Sequence, residues 1–388
     1  MSGVTVQAAQ DREIGAWDAG MPGPTLLVTG GVHGNEPAGV KAAARVLSAL
    51  RAREPQLRGR FVALRGNLAA LAAGRRYLGR DLNRGWSAAA IAATRQRAPA
   101  DRSPEDQEQL ALIDAFLEIE RSATGPVVFL DLHTSSAAGS PFLCLADTVD
   151  NRRLGMMTGV PVILGIEESL AGASLEWFAD RGVAGLAVEG GQHDCETAVD
   201  NHEAVLWELL TRLGMLPPRF IDLEPHRARL RAAVGDAPPI VEITHRREIA
   251  PEDDFQMEPG FVNFSPVEKG QLLAKDRRGA LRASRDGYVM LPLYQELGDD
   301  GYFLARRVPR PWIWLTQAVR RLRLGGLLAM WPGITRDSCD RDTLLVRPGI
   351  ARGVVVELLH LLGFRKQSRR ADRLAFSRRR SRPENRCL

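Results

Sequence analysis

The sequence predicts an α/β protein: a mostly parallel, twisted sheet with helices on both faces, then a small β domain and a helical, basic C-terminal tail. Three observations carry this. Up to residue 215, short apolar runs alternate with segments of helical period, the pattern of a parallel sheet covered on both sides. From Pro217 the texture changes, with prolines at 218, 225, 238 and 239 and then short, Gly-punctuated strands as far as Arg307. After Pro309 the pattern turns helical and Arg-rich. The expected boundaries are therefore 1–215, 216–310 and 311–388.

Each element follows from local chemistry. Thr25–Gly31 reads as a buried strand ending in Gly-rich punctuation, and Pro37–Leu50 has the Ala/Val/Leu spacing of a helix. Arg60–Arg65 is a second strand. Ser103 before Pro104 and Glu105 is a helix N-cap with proline at the first position, opening a helix to about Ile119. Val127–Leu132, Pro161–Leu164 and Val183–Val188 read as strands, and Ser174–Ala179 and Thr197–Leu213 as helices. The Gly-Gly pairs at 30–31 and 190–191 both follow strands, where open α/β sheets place their sites. Pro239–Ile249 begins with strand-like alternation, and Arg285-Asp286-Gly287 marks a turn.

Composition excludes several classes. The chain has 388 residues, 45% hydrophobic and 26% charged, which is neither disordered nor collagen-like. A core of this size stays folded without cross-links, so any metal is expected to serve chemistry. The four cysteines are far apart and form no Cys-x-x-Cys pair, which fits a reducing, cytoplasmic setting. No signal peptide or 18-residue uncharged apolar span is expected. The formal net charge of +5 is unevenly spread: residues 311–388 hold 17 Lys+Arg against 6 Asp+Glu, and the first 310 hold 35 against 41. The mildly acidic body gives no reason to expect nucleic acid.

The strongest motif is Gly30-Gly31-Val32-His33-Gly34-Asn35-Glu36. His33 and Glu36, three apart at a strand exit, can aim an imidazole nitrogen and a carboxylate oxygen at one point. Zinc accepts both, and hydrolytic zinc sites use three protein ligands with one position left for water. Asp131-Leu132-His133-Thr134, at another strand end, supplies a second histidine. Alone, these residues also fit a helix-capping carboxylate and two ordinary polar histidines. Arg76, Asn83 and Arg84 offer donors for a planar anion and a carbonyl, or form a solvated basic loop. Asp81 fits a partner for a ligand histidine or a brace of its own loop. Glu189 closes an apolar strand before two glycines, where a general base for a zinc-activated water is expected, or else a surface glutamate. His193 reads as a loop residue. Tyr288 and Tyr294 either reach the site or find structural partners.

Gly-Val-His-Gly-Asn-Glu, Asp-Leu-Asn-Arg, Asp-Leu-His-Thr and Val-Glu-Gly-Gly, in this order, resemble the succinylglutamate desuccinylase/aspartoacylase family, which is related to the zinc carboxypeptidases. The likeness covers about residues 20–310, including Asp286–Pro292 in the expected β domain. It implies one zinc per chain held by His33, Glu36 and His133, with Glu189 as general base and Arg76 polarising the scissile carbonyl. It also implies that Asn83 and Arg84 hold a substrate carboxylate. The implied activity is amide hydrolysis of a small N-acyl amino acid or related N-acyl amine bearing a carboxylate. A metallocarboxypeptidase acting on peptides and a non-catalytic binding protein are the competing readings. The tail lies outside the resemblance. Its expected form is two helices on the body and a basic end, with a membrane-surface anchor as the sharper alternative.

Overall fold

The computed structural model describes residues 12–170, 172–309, 311–312, 316, 328–351, 353–370 and 372–378. The chain opens with β1 (Glu13–Asp18), β2 (Met21–Gly30), α1 (Ala38–Arg53), β3 (Arg58–Arg65) and α2 (Leu68–Ala73). Next come α3 (Ala88–Gln96), α4 (Pro104–Ser122), β4 (Val127–Ser135), β5 (Phe142–Leu145), α5 (Val149–Met157) and β6 (Val162–Leu164). Then α6 (Ile166–Ser169), α7 (Ser174–Asp180), β7 (Ala184–Gln192), α8 (Glu196–Arg212) and α9 (Glu224–Val234) complete the first part. The expected strands and helices of this part are all present. β1, β5, α2, α3, α5, α6 and α9 are additions the sequence pattern did not reveal.

The second part supplies β8 (Ile240–Glu248), β9 (Gln256–Met257), β10 (Ser265–Val267), β11 (Leu272–Asp276), β12 (Gly279–Arg282), β13 (Gly287–Met290) and β14 (Asp300–Arg307). One eleven-stranded sheet runs in the order β1-β3-β2-β4-β7-β5-β6-β8-β14-β13-β10. Its centre, β3-β2-β4-β7, is parallel. β5 joins β7 antiparallel, and β8, β14, β13 and β10 continue the same sheet. The sheet is thus mixed and larger than the sequence implied. β9, β11 and β12 form a separate three-stranded sheet.

Both faces of the central strands are buried, as a covered parallel sheet demands. Leu26 and Val28 of β2 share a core with Val46 of α1 and Val205 of α8. Leu27, between them, points to the opposite core with Phe116 of α4 and Phe178 of α7. The period of two in β2 therefore feeds two helical layers.

The expected helical tail is corrected by the structure. β15 (Ile334–Arg336), β16 (Thr343–Val346), β17 (Phe364–Arg370) and β18 (Arg373–Arg378) form a four-stranded antiparallel sheet, with α10 (Val354–Leu361) before β17. Leu344 and Val346, and Leu374 and Phe376, repeat every two residues, which is the strand period. The apolar run Val354–Leu362 is indeed helical as α10. Leu322–Leu327 with Arg320, Arg321 and Arg323, and also Trp314, Arg379 and Arg380, lie outside the described residues. No helix among the described residues is long and apolar enough to cross a membrane.

Candidate active site

The site forms at the C-terminal ends of β2, β4 and β7, where parallel sheets leave backbone ends and loops free to converge. His33 and Glu36 lie on the turn between β2 and α1. This turn packs tightly. A Cβ on Gly34 would sit 2.0 Å from the Ala70 carbonyl carbon and 2.4 Å from the Arg75 oxygen, so only glycine fits. The Gly34 amide donates to the Arg76 carbonyl at 3.1 Å, stitching the His33 turn to the Arg76 loop. Glu105, at the start of α4 and wholly buried, accepts the amides of Leu78, Gly79 and Arg80. One carboxylate thereby shapes the loop that carries Arg76 and Asp81.

Atoms of His33, Glu36 and His133 converge to within 4.8 Å of one another, and all three residues are buried. His33 Nδ1 lies 2.8 Å from Glu36 Oε1, and His133 Nδ1 lies 3.1 Å from Glu36 Oε2. The far nitrogens also face carboxylates: His33 Nε2 is 3.1 Å from Asp81 Oδ1, and His133 Nε2 is 3.1 Å from Asp131 Oδ2. Imidazoles whose outer nitrogens meet carboxylates while their inner nitrogens converge on a third donor are the arrangement that orients metal ligands. The donors suit a divalent ion such as zinc. Asp131 is itself fixed by the hydroxyls of Thr29 and Ser174. Its signal was present in sequence, since residues two apart on a strand share a face.

Electrostatics follow from this packing. Burial would raise Glu36, but the two imidazoles outweigh it and hold the carboxyl well below its usual range. Asp81 is likewise low, burial being overcome by His33, Arg76 and Arg84. Burial would lower His133, yet Asp131 and Glu36 hold it well above the usual imidazole value. Glu189 pairs in register with His133 across β4 and β7. Its burial, reinforced by the charge of Glu36, pushes it up to about 7, and its Oε2 is buried without a hydrogen-bond partner.

Arg76 donates to Glu36 Oε1 at 3.4 Å and Asp81 Oδ2 at 3.1 Å, leaving its buried Nε without a partner. Asn83 uses its Oδ1 to accept the Ser174 amide at 2.8 Å. Arg84 donates to Asp300 Oδ2 at 2.9 Å and to the Asn83 carbonyl at 3.1 Å, and its Nε too is unpaired. All seven expected residues therefore line one cavity. The far wall was not foreseen: Glu167, Glu176, Gln295, Asp299 and Asp300 come from segments without a readable motif. His193 bridges Thr134 Oγ1 at 2.7 Å and Gln295 Oε1 at 3.1 Å, tying β4 to that wall. Tyr288 and Tyr294 do not line the cavity. The Tyr294 hydroxyl instead donates to the Glu258 carbonyl and accepts the Phe261 amide.

Residues 22–174 match the family described as succinylglutamate desuccinylase/aspartoacylase catalytic domain. Over that span the chain is similar to such a catalytic domain. Over 123 residues the chain is 33% identical to a succinylglutamate desuccinylase of Burkholderia pseudomallei, covering 31% of this chain and 34% of that protein. The chain thus spans about a third of the length of the curated relatives it matches. Among solved structures, a succinylglutamate desuccinylase/aspartoacylase from Rhodobacter sphaeroides is 19% identical with a TM-score of 0.54, over 75% of this chain and 87% of that one. Murine aminoacylase 3 is 20% identical with a TM-score of 0.53, over 74% and 96%. These structures share the fold over about three quarters of this chain.

Proposed function

We propose that the protein is a zinc-dependent deacylase that hydrolyses the amide bond of a small N-acyl amino acid or related N-acyl amine. The observation that carries this reading is the convergence of His33, Glu36 and His133 beside a buried, unpaired Glu189 oxygen. The desuccinylase and aminoacylase named above support the substrate class.

His33, Glu36 and His133 would hold one zinc ion, whose chemistry there is to acidify a water and polarise the acyl carbonyl. Glu189 takes a proton from the attacking water, and a carboxyl whose proton affinity lies near neutrality suits both taking and returning it. The water oxygen bonds to the acyl carbon, the C–N bond breaks, and Glu189 delivers the proton to the departing nitrogen. A carboxylic acid and an amine result. Arg76 Nε, buried and unpaired, is a spare donor for the oxyanion as charge develops. Asn83 and Arg84 are proposed to hold a carboxylate of the substrate, with Arg84 Nε as the donor that internal contacts leave over.

The test is metal analysis followed by a panel of N-acyl amino acids and peptides. Stoichiometric zinc with release of free amine from N-acyl amino acids is the expected result. Preference for longer peptides would favour a carboxypeptidase, and bound zinc with no hydrolysis a binding protein.

A further inference from the structure

We infer that Gln295 is a further substrate-contacting residue: its side-chain Nε2 donates a hydrogen bond to an oxygen of the substrate, and His193 positions it. This rests on the deacylase reading and deepens it. Gln295 is half-buried in the cavity wall, on the segment between β13 and β14.

The backbone of this segment is fastened by contacts that do not involve Gln295. The Leu291 amide donates to Asn263 Oδ1 at 2.7 Å, and Asn263 Nδ2 donates to Ser135 Oγ at 3.0 Å, at the end of β4. The Tyr294 amide donates to Ser136 Oγ at 3.1 Å. Leu291 lies in the left-handed region at φ 49°, a conformation that a leucine keeps only where its surroundings over-determine it. The wall therefore stands against β4 without help from the Gln295 side chain.

Two further contacts fix the orientation of its amide. Asn35 Nδ2 donates to Gln295 Oε1 at 3.1 Å, and His193 Nε2 lies 3.1 Å from the same oxygen. A carbonyl oxygen only accepts, so His193 carries its proton on Nε2, and Nδ1 of the neutral ring accepts the Thr134 hydroxyl at 2.7 Å. The His193 amide in turn donates to the Ser135 carbonyl at 3.0 Å. Both lone pairs of Gln295 Oε1 are thus engaged. Nε2, with two N–H donors, meets no acceptor among the described residues. Turning the amide over would set its N–H groups against the donors of Asn35 and His193. Both holders sit beside the proposed ligands: Asn35 precedes Glu36, and Thr134 follows His133. A donor bare on the cavity wall and locked by its neighbours is ready for an incoming oxygen, because little side-chain freedom is left to lose. A mere clasp between wall and ligand turn would need no such aim, since the wall is already fastened.

The experiment compares zinc-loaded, full-length wild type with Gln295→Glu and Gln295→Met on the panel of N-acyl amino acids. Gln295→Glu keeps the shape and an oxygen for Asn35 and His193, and exchanges the donor for an acceptor. In both variants kcat/KM is expected to fall by roughly tenfold or more, with zinc content and melting temperature unchanged. Calorimetry on the two hydrolysis products should show weaker binding of one of them, which names the half of the substrate that Gln295 holds. His193→Phe should lower kcat/KM in the wild type but no further in the Gln295→Met background. His193→Gln, which replaces the Nε2 donor, should restore much of the loss. Hydrolysis of no panel member by the wild type would overturn the deacylase reading itself. With an active wild type, Gln295→Glu at wild-type kcat/KM and product affinity would leave that reading standing and overturn the inference. Loss of zinc in Gln295→Met would make the residue a brace for the ligand turn and overturn it likewise. Additive losses from His193→Phe and Gln295→Met would overturn the positioning role.

Discussion

Asp131 shows how a single residue can matter without touching a ligand atom first. Its carboxylate takes hydroxyls from Thr29 and Ser174 and faces His133 Nε2, so the imidazole has one preferred orientation. Asp131→Asn keeps the shape but loses the charge. It should weaken zinc affinity by about 10–100-fold in chelator competition, with the fold intact by circular dichroism. Glu189→Gln should do the opposite: keep full zinc by metal analysis and lose at least about 100-fold in kcat, because an amide cannot accept the water proton. At this scale the reactive end of the site was legible, since His33, Glu36, His133 and Glu189 lie in short motifs at strand ends. The far wall was not. Arg84 and Asp300 meet across 216 positions, and no local pattern encodes such a pair.

At the scale of elements, α4 has two duties at its N-terminus. Ser103 and Asp106 close a reciprocal cap, and Glu105 between them gathers three amides of the loop between α2 and α3. Ser103→Ala should cost about 1 kcal/mol of stability in denaturant titration without changing catalysis. Glu105→Gln should instead lower kcat more than stability, because the loop carrying Arg76 loses its anchor. The cap was readable because Ser-Pro-Glu is a local helix signal. β1 escaped notice for the converse reason. Glu13–Asp18 is a six-residue edge strand, paired only with β3 and bulged near Gly15, and its short Ile14–Trp17 run is broken by that glycine.

For the whole molecule, the tail is bound to the body through buried charge. Arg365 of β17 is ion-paired with Asp147, and donates to Glu242 of β8 at 2.8 Å. Arg152 and Arg306 share these carboxylates. Arg365→Met should destabilise the protein by about 2–3 kcal/mol in chemical denaturation, because two buried carboxylates lose a cation. Truncation at residue 310 should lower the melting temperature for the same reason. None of this was legible in sequence, because the partners of the tail's Arg365 sit more than 120 positions away. A second global effect concerns pH. Burial holds His202, packed under Gly190, down to about 4. The unfolded chain binds that proton near 6.5 and the folded one only near 4. Above 6.5 both states are neutral and His202 contributes nothing. As pH falls from 6.5 to 4 the unfolded state gains, by roughly 3 kcal/mol in all. The melting temperature should therefore drop through this window, and less so in His202→Gln.

The segment from Leu291 to Asp300 lies about a hundred residues beyond Glu189, yet closes the cavity in which Glu189 stands. The proposed proton-transfer groups and the 291–300 part of the far wall thus lie in separate stretches of the chain. Drift in the later stretch can re-aim the protein toward a new acyl compound while the earlier one is left untouched. Exchanging residues 291–300 between relatives should transfer substrate preference and preserve metal content, so that the fold acts as a fixed tool with an interchangeable jig.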